Sequence, residues 1–131
     1  SSGERASILA LKKANSNNYN LEEYIYGGDG MIRGTTPTLE FTLPFDCSLL
    51  TEMYITFAQY GTTVLEKSMA DCTCSGTLVT LSLSQEDTLK MKQDRMAIAE
   101  VQLRVRTKDG SALASNIMQI RVDRILKEGV I

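Results

Sequence analysis

Any chemistry in this chain must come from carboxylates, thiols, arginines or tyrosines, because its 131 residues include no histidine and no tryptophan. Without imidazole there is no Ser-His-Asp or Cys-His catalysis, no His-ligated zinc and no imidazole pH switch. The acids come in neighbouring pairs, Glu22 with Glu23 and Glu86 with Asp87, or singly, as at Asp71 and Asp109. A glycosidase needs two acids facing each other across roughly 5–10 Å. Adjacent acids in a strand point to opposite sides, so these pairs do not make that arrangement. Glu86 and Asp87 suit the first turn of a helix, and Asp109 suits a hairpin. No catalytic residue is assigned, and the expectation is a protein that is not an enzyme.

The thiols are Cys47, Cys72 and Cys74. An odd, small number is not the disulfide framework of a secreted domain. Cys72 and Cys74 lie two apart and share a face in an extended segment, a spacing poorly suited to bonding with each other. A zinc site would need a fourth ligand such as Asp46 or Asp71, and there is no CxxC pair, so no metal and no cofactor is expected. The expectation is reduced thiols that pack like small apolar residues.

The remaining candidates are cationic and aromatic. Arg104, Arg106 and Arg121 fall on one side of an alternating segment. The net charge is −2 and no stacking platform accompanies them, so nucleic acid is not an expected partner. Tyr54, Tyr60 and the cluster Tyr19, Tyr24, Tyr26 are the only supply for a carbohydrate- or receptor-binding surface, which stands as the alternative function. No apolar run approaches the roughly 20 residues of a membrane span. Ile8 to Leu11 is too short for a signal-peptide core, and Lys12 and Lys13 follow it rather than precede it.

These side chains must be carried by strands. Leu39, Phe41 and Leu43 alternate with polar residues until Pro44, and Met53, Ile55 and Phe57 alternate before a turn at Gly61. Thr63 to Lys67 can return as a partner. Val79, Leu81 and Leu83 alternate after a turn at Ser75-Gly76, and Ser84 caps a short helical turn with an acid three residues on. Ala97 to Val105 alternate over nine residues, and Asp109-Gly110 offers a tight two-residue turn. Pairing Lys108 with Ser111 sets Val105 against Ala114, Val101 against Met118 and Ala99 against Ile120. It also sends Leu113 and Ile117 outward with Arg104 and Gln102. Asn116 then lands inside opposite Leu103, unless it pairs with backbone near an edge or a bulge turns it out. The expected fold is an all-β, antiparallel, immunoglobulin-like sandwich of about six to eight strands.

Gly27-Gly28-Asp29-Gly30 reads as a joint dividing residues 1–30 from a β domain at 31–131. Residues 4–14 carry helix formers, with Glu4 early and Lys12 and Lys13 late. This leader is expected to be either an appended or upstream segment ahead of a natural start at Met31, or an arm that docks on a neighbouring subunit.

The order Leu83-Ser84-Gln85-Glu86-Asp87-Thr88, Val101-Gln102-Leu103-Arg104-Val105, Lys108-Asp109-Gly110 and Ala114-Ser115 resembles a pattern in small prophage tail-module proteins of Gram-positive bacteria. There a TxEDT turn precedes an hQhRh…DG…S hairpin (h apolar). Met31 to Thr38 and Ile125 to Gly129 resemble the same group, and residues 31–131 are similar to the immunoglobulin-like N-terminal domain of phage baseplate upper proteins. The resemblance implies a virion structural or assembly part of the tail or baseplate, located in the virion and, during assembly, in the bacterial cytoplasm. It implies protein partners, namely other virion proteins, and carries no catalytic residues.

Apolar residues beside arginines suit a protein interface better than a free surface. Arg104, Arg106, Leu113 and Ile117, with Ile125 and Leu126 of the tail, are the expected contact residues. A homo-oligomer that contacts itself and other virion proteins, without membrane or nucleic acid, is the expected assembly.

Overall fold

Period-two alternation becomes strand almost wherever it occurs. The computed structural model describes residues 11–13, 31–92 and 97–131. Among these residues the fold is all-β with one short α-helix. The larger sheet is built on β4 (Leu50–Gln59), β5 (Thr62–Ser68) and β8 (Ile98–Thr107). Antiparallel pairing runs β5–β4–β8, and the far edge of β8 is shared by β9 (Ala112–Ser115) and β10 (Met118–Asp123). Two short strands finish this sheet. β1 (Leu11–Lys13) lies antiparallel to β9, and β2 (Met31–Ile32) lies parallel to β10. The smaller sheet runs β3 (Thr38–Thr42), β7 (Leu78–Ser82), β6 (Cys72–Ser75), all antiparallel.

Inward residues of both sheets belong to one buried cluster. Leu39, Phe41, Val79 and Leu81 come from the smaller sheet, and Met53, Ile55, Phe57, Val101, Leu103 and Ile120 from the larger. Each buried aliphatic or aromatic side chain there contributes roughly 1.5–3 kcal/mol relative to exposure. The helix α1 (Gln85–Leu89) starts where sequence places it: Ser84 accepts a hydrogen bond from the Asp87 backbone N–H while the Asp87 carboxylate accepts from Ser84 N–H.

Four expectations need correction. The sheets are not wholly antiparallel, since β2 runs parallel to β10. There are ten strands among the described residues, more than the six to eight expected. The excess comes from the short pieces β1 and β2 and from division of the last strand into β9 and β10. Residues 11–13 are strand rather than helix, because the open edge of β9 offers a ladder that outweighs weak intrinsic helix propensity. The rest of that expected helix, and the tyrosine cluster Tyr19, Tyr24, Tyr26, lie outside the described residues.

The fourth correction concerns the last hairpin. Its loop holds three residues, not two: Thr107 N–H donates to Ser111 O at 3.0 Å, and Gly110 N–H donates to Thr107 O at 2.9 Å. Gly110 takes the left-handed conformation (φ 89°) that such a three-residue loop demands. The Asp109 carboxylate accepts from Ser111 N–H and the Thr107 hydroxyl, which tightens the loop locally. Val105 therefore faces Leu113, not Ala114, and β9 is one residue out of the expected register. β10 keeps the expected one, with Val101 opposite Met118 and Ala99 opposite Ile120. The two registers are reconciled by one extra residue at Asn116-Ile117, a β-bulge.

Candidate interaction surface

The slip decides which expected contact residues reach solvent. Leu113 is 3% exposed and sits in the core, so its expected outward position is wrong. Ile117, on the far side of the bulge, is 53% exposed. Ser115 takes the inner place expected for Asn116: its hydroxyl accepts from Leu103 N–H at 3.0 Å and donates to Asn116 O at 2.8 Å. On the outer side the Gln102 amide donates to Ser115 O at 3.0 Å. A small residue that satisfies both neighbouring backbone groups lets the strand bend without leaving a buried polar atom unpaired.

Arg104 and Arg106 are exposed on the outer face of β8, on the same side as exposed Arg121 of β10. Arg104 lies between Tyr54 of β4 and Ala114 of β9, and Arg106 between Glu52 and Ala112. The alanines stand low beside the long guanidinium arms. The Thr51 hydroxyl donates to the Arg106 backbone carbonyl at 3.1 Å, but among the described residues no hydrogen bond or ion pair engages the guanidinium group of Arg104 or Arg106. Each presents a planar fork of donors suited to a carboxylate. Tyr54 is 42% exposed. Its hydroxyl donates to the Glu52 carboxylate at 3.2 Å, and that bond, with the Glu52 charge, pushes the phenol pKa above its ordinary value.

Ile125 and Leu126 are not part of this face. The tail follows β10 past the end of the sheet where β8 begins, eight residues of strand from Arg106, or about 26 Å. There Arg33 organises a separate junction. Its Nε donates to Met91 O at 2.8 Å, Nη2 to Leu89 O at 3.3 Å, and Nη1 to both Glu128 carboxylate oxygens at 3.0 Å. The Gln85 amide exchanges two hydrogen bonds with the Ile131 backbone. Ile125 is half-buried against Gly34: a methyl group added there would come within 2.9 Å of Ile125 Cδ1. Leu126, in contrast, is 89% exposed. Of the expected contact residues, only Arg104, Arg106 and Ile117 gather on one side of the larger sheet.

Sequence reading missed these long-range features. Arg33 and its partners are 56 to 95 positions apart. Lys67 pairs with Asp87 at 3.0 Å, tying β5 to α1. Gln59 is buried, donates to Lys92 O at 2.7 Å and accepts from Lys92 N–H at 2.6 Å. A cleft of about 460 Å³ opens between the β3–β4 connection and the β8–β9 hairpin, with Phe45, Leu49 and Leu113 in its lining and Lys108 and Asp109 beside them. No local motif marks any of these, because each joins segments distant in sequence.

Among the described residues, no three metal-ligating side chains converge, and no helix is long and apolar enough to cross a membrane. Comparison with protein-family models and with curated proteins returns no match to the chain.

Proposed function

We propose that the chain is a non-enzymatic structural or assembly module of a phage or prophage particle, in its tail or baseplate. In this reading its two sheets form an immunoglobulin-like sandwich, and it works by packing against other copies of itself and other virion proteins. The observation that carries the interaction reading is the outer face of the larger sheet. Two arginines whose guanidinium groups have no partner among the described residues stand there over small alanines. Ile117 is held out beyond them by a bulge whose backbone is internally satisfied. A rigid strand framework limits the entropy lost when such a face docks. Guanidinium groups that docking covers favour a partner that supplies carboxylates, and Ile117 favours an apolar depression beside them. The phage assignment rests on the motif resemblance of residues 31–131.

The test is light scattering of purified protein beside Ile117→Asp and the double variant Arg104→Glu/Arg106→Glu. The expected result is an assembly whose mass falls in both variants while the β-sheet circular dichroism is retained. Unchanged mass in both would remove this face from the assembly contact. A glycan array examines the alternative: saturable binding to one sugar class, lost in Tyr54→Ala, would favour a receptor-binding module.

A further inference from the structure

β8 carries its charges in a fixed order along one face. Ile98, Glu100, Gln102, Arg104 and Arg106 alternate with buried residues, so they share the outer side of the larger sheet. From the start of the strand this face is apolar, acidic, neutral, basic, basic. Glu100 and Arg104 stand four residues apart, about 13 Å along the strand, too far to pair with each other. Among the described residues, no hydrogen bond or ion pair engages the Glu100 carboxylate or the Arg104 guanidinium. The neighbouring strand β4 is graded too: bulky Tyr54 lies opposite Arg104 and small Ala58 opposite Glu100. On the other flank of β8, exposed Ile117 precedes Met118, which pairs with Val101, so Ile117 stands at the level of Gln102.

We propose that the outer face of the larger sheet is self-complementary and takes a second copy of the chain, with the two β8 strands antiparallel about a two-fold axis at Gln102. The inference rests on the outer face being a contact surface, and it names the partner that supplies the carboxylate. A two-fold axis in the plane of contact, perpendicular to the strands, exchanges residues equally far before and after it. Glu100 of each copy then faces Arg104 of the other, which makes two ion pairs. Stacked sheets lie about 10 Å apart, a gap that a glutamate and an arginine arm span together. Tyr54 falls over the small Ala58 of the second copy, the stem of Arg106 lies along its Ile98, and the two Ile117 side chains meet at the axis. A parallel arrangement sets Glu100 on Glu100 and Arg104 on Arg104, so charge order selects the antiparallel one. The cost falls on exposed Glu66, which pairs with Thr56 at the level of the axis and therefore faces its own copy. It lies two strands from β8, at the rim, where water and salt screen the repulsion.

The experiment is analytical ultracentrifugation of the full chain in about 50 mM salt, where exposed charges are least screened. The parent chain is expected to self-associate, and Arg104→Glu and Glu100→Arg are each expected to raise the dissociation constant about tenfold or more. Mixed one to one, these two variants are expected to associate as strongly as the parent, because each charged position again meets its opposite. Arg106→Glu mixed with Glu100→Arg is the control: the net charges are the same, but residue 106 faces Ile98, so no recovery is expected. Circular dichroism checks that every variant keeps its sheet. Recovery in both mixtures would reduce the effect to net charge, and recovery in neither would remove the Glu100–Arg104 pairing; either overturns the proposal. A parent chain that stays monomeric also overturns it, while leaving the face free to dock on a different protein. If Ile117→Asp lowers the mass but the charge mixtures fail, the face is a contact and this arrangement of copies is wrong. If Ile117→Asp and both charge variants keep the parental mass, the face is not the contact between copies at all.

Discussion

At the scale of single residues, Asp87 shows how one side chain joins local and distant chemistry. Burial pushes its pKa up, but the Ser84 backbone N–H, the Lys67 ammonium and the Ser84 hydroxyl together outweigh that and hold it below the ordinary 3.8. A carboxylate with a lowered folded pKa contributes stability that is fully present well above 3.8 and lost as pH falls through the folded value. Asp87→Ala removes half the capping box and leaves the mostly buried Lys67 ammonium without its partner. We expect it to cost about 2–3 kcal/mol at pH 7 in urea unfolding. The gap from the parent should narrow as pH drops below 3.8; a gap independent of pH would show that the charge is not the source. The cap was legible, since Ser84 and Asp87 stand three apart ahead of Leu89. The Lys67 partner was not, because nothing local connects residue 67 to residue 87. Leu113 and Ile117 make the second residue-scale contrast. Leu113→Asp places a charge in the core and is expected to abolish cooperative unfolding, whereas Ile117→Asp should change stability by no more than about 0.5 kcal/mol.

At the scale of elements, the bulge between β9 and β10 carries the argument. Apolar alternation made β3, β4, β7 and β8 readable, because a strand with one buried face declares its period. Register was only half readable. The assumed two-residue turn at Asp109-Gly110 placed β10 correctly and β9 one residue off, since a three-residue loop and a single inserted residue cancel over the full hairpin. Asn116, awkward opposite Leu103 in the simple register, was the sign that the ladder is interrupted. Deleting Asn116 removes the extra residue and leaves an uninterrupted ladder: Leu113 and Ser115 still point in, and Ile117 falls opposite Gln102 on the outer side. Deleting Ala114 also removes one residue, but it puts Asn116 inside opposite Leu103. We expect the first deletion to cost about 1 kcal/mol or less, and the second at least 1–3 kcal/mol more, as a buried amide requires new partners. Urea midpoints of the two deletions decide this; equal destabilisation would count against the bulge as the point of compensation.

At the scale of the whole molecule, β8 separates two exposed apolar regions. Ile117 lies on the arginine face of the larger sheet, while Leu126, Val130 and Ile131 lie on the tail, which leaves the sheet where β8 begins. Hairpin register puts Ile117, and apolar composition puts Leu126 of the tail, among the expected contact residues, because neither carries the distance between them. The tail has an internal task. Glu128 meets Arg33, Ile131 meets Gln85, and Ile125 fills the space beside Gly34, so the segment after β10 closes the junction between β2 and α1. These bonds are mostly at the surface and individually weak, but Arg33 holds three partners at once and a lysine cannot reproduce its fork. The two regions should therefore separate experimentally. Removing residues 124–131 is expected to lower the melting midpoint by several degrees, roughly 1–2 kcal/mol for a chain of this size, and to leave the mass in solution unchanged. Ile117→Asp is expected to do the reverse, lowering the mass with an unchanged melting midpoint. Paired calorimetry and light scattering on both variants distinguish the cases. If the truncated chain loses assembly at full thermal stability, the tail is the contact and the arginine face is not.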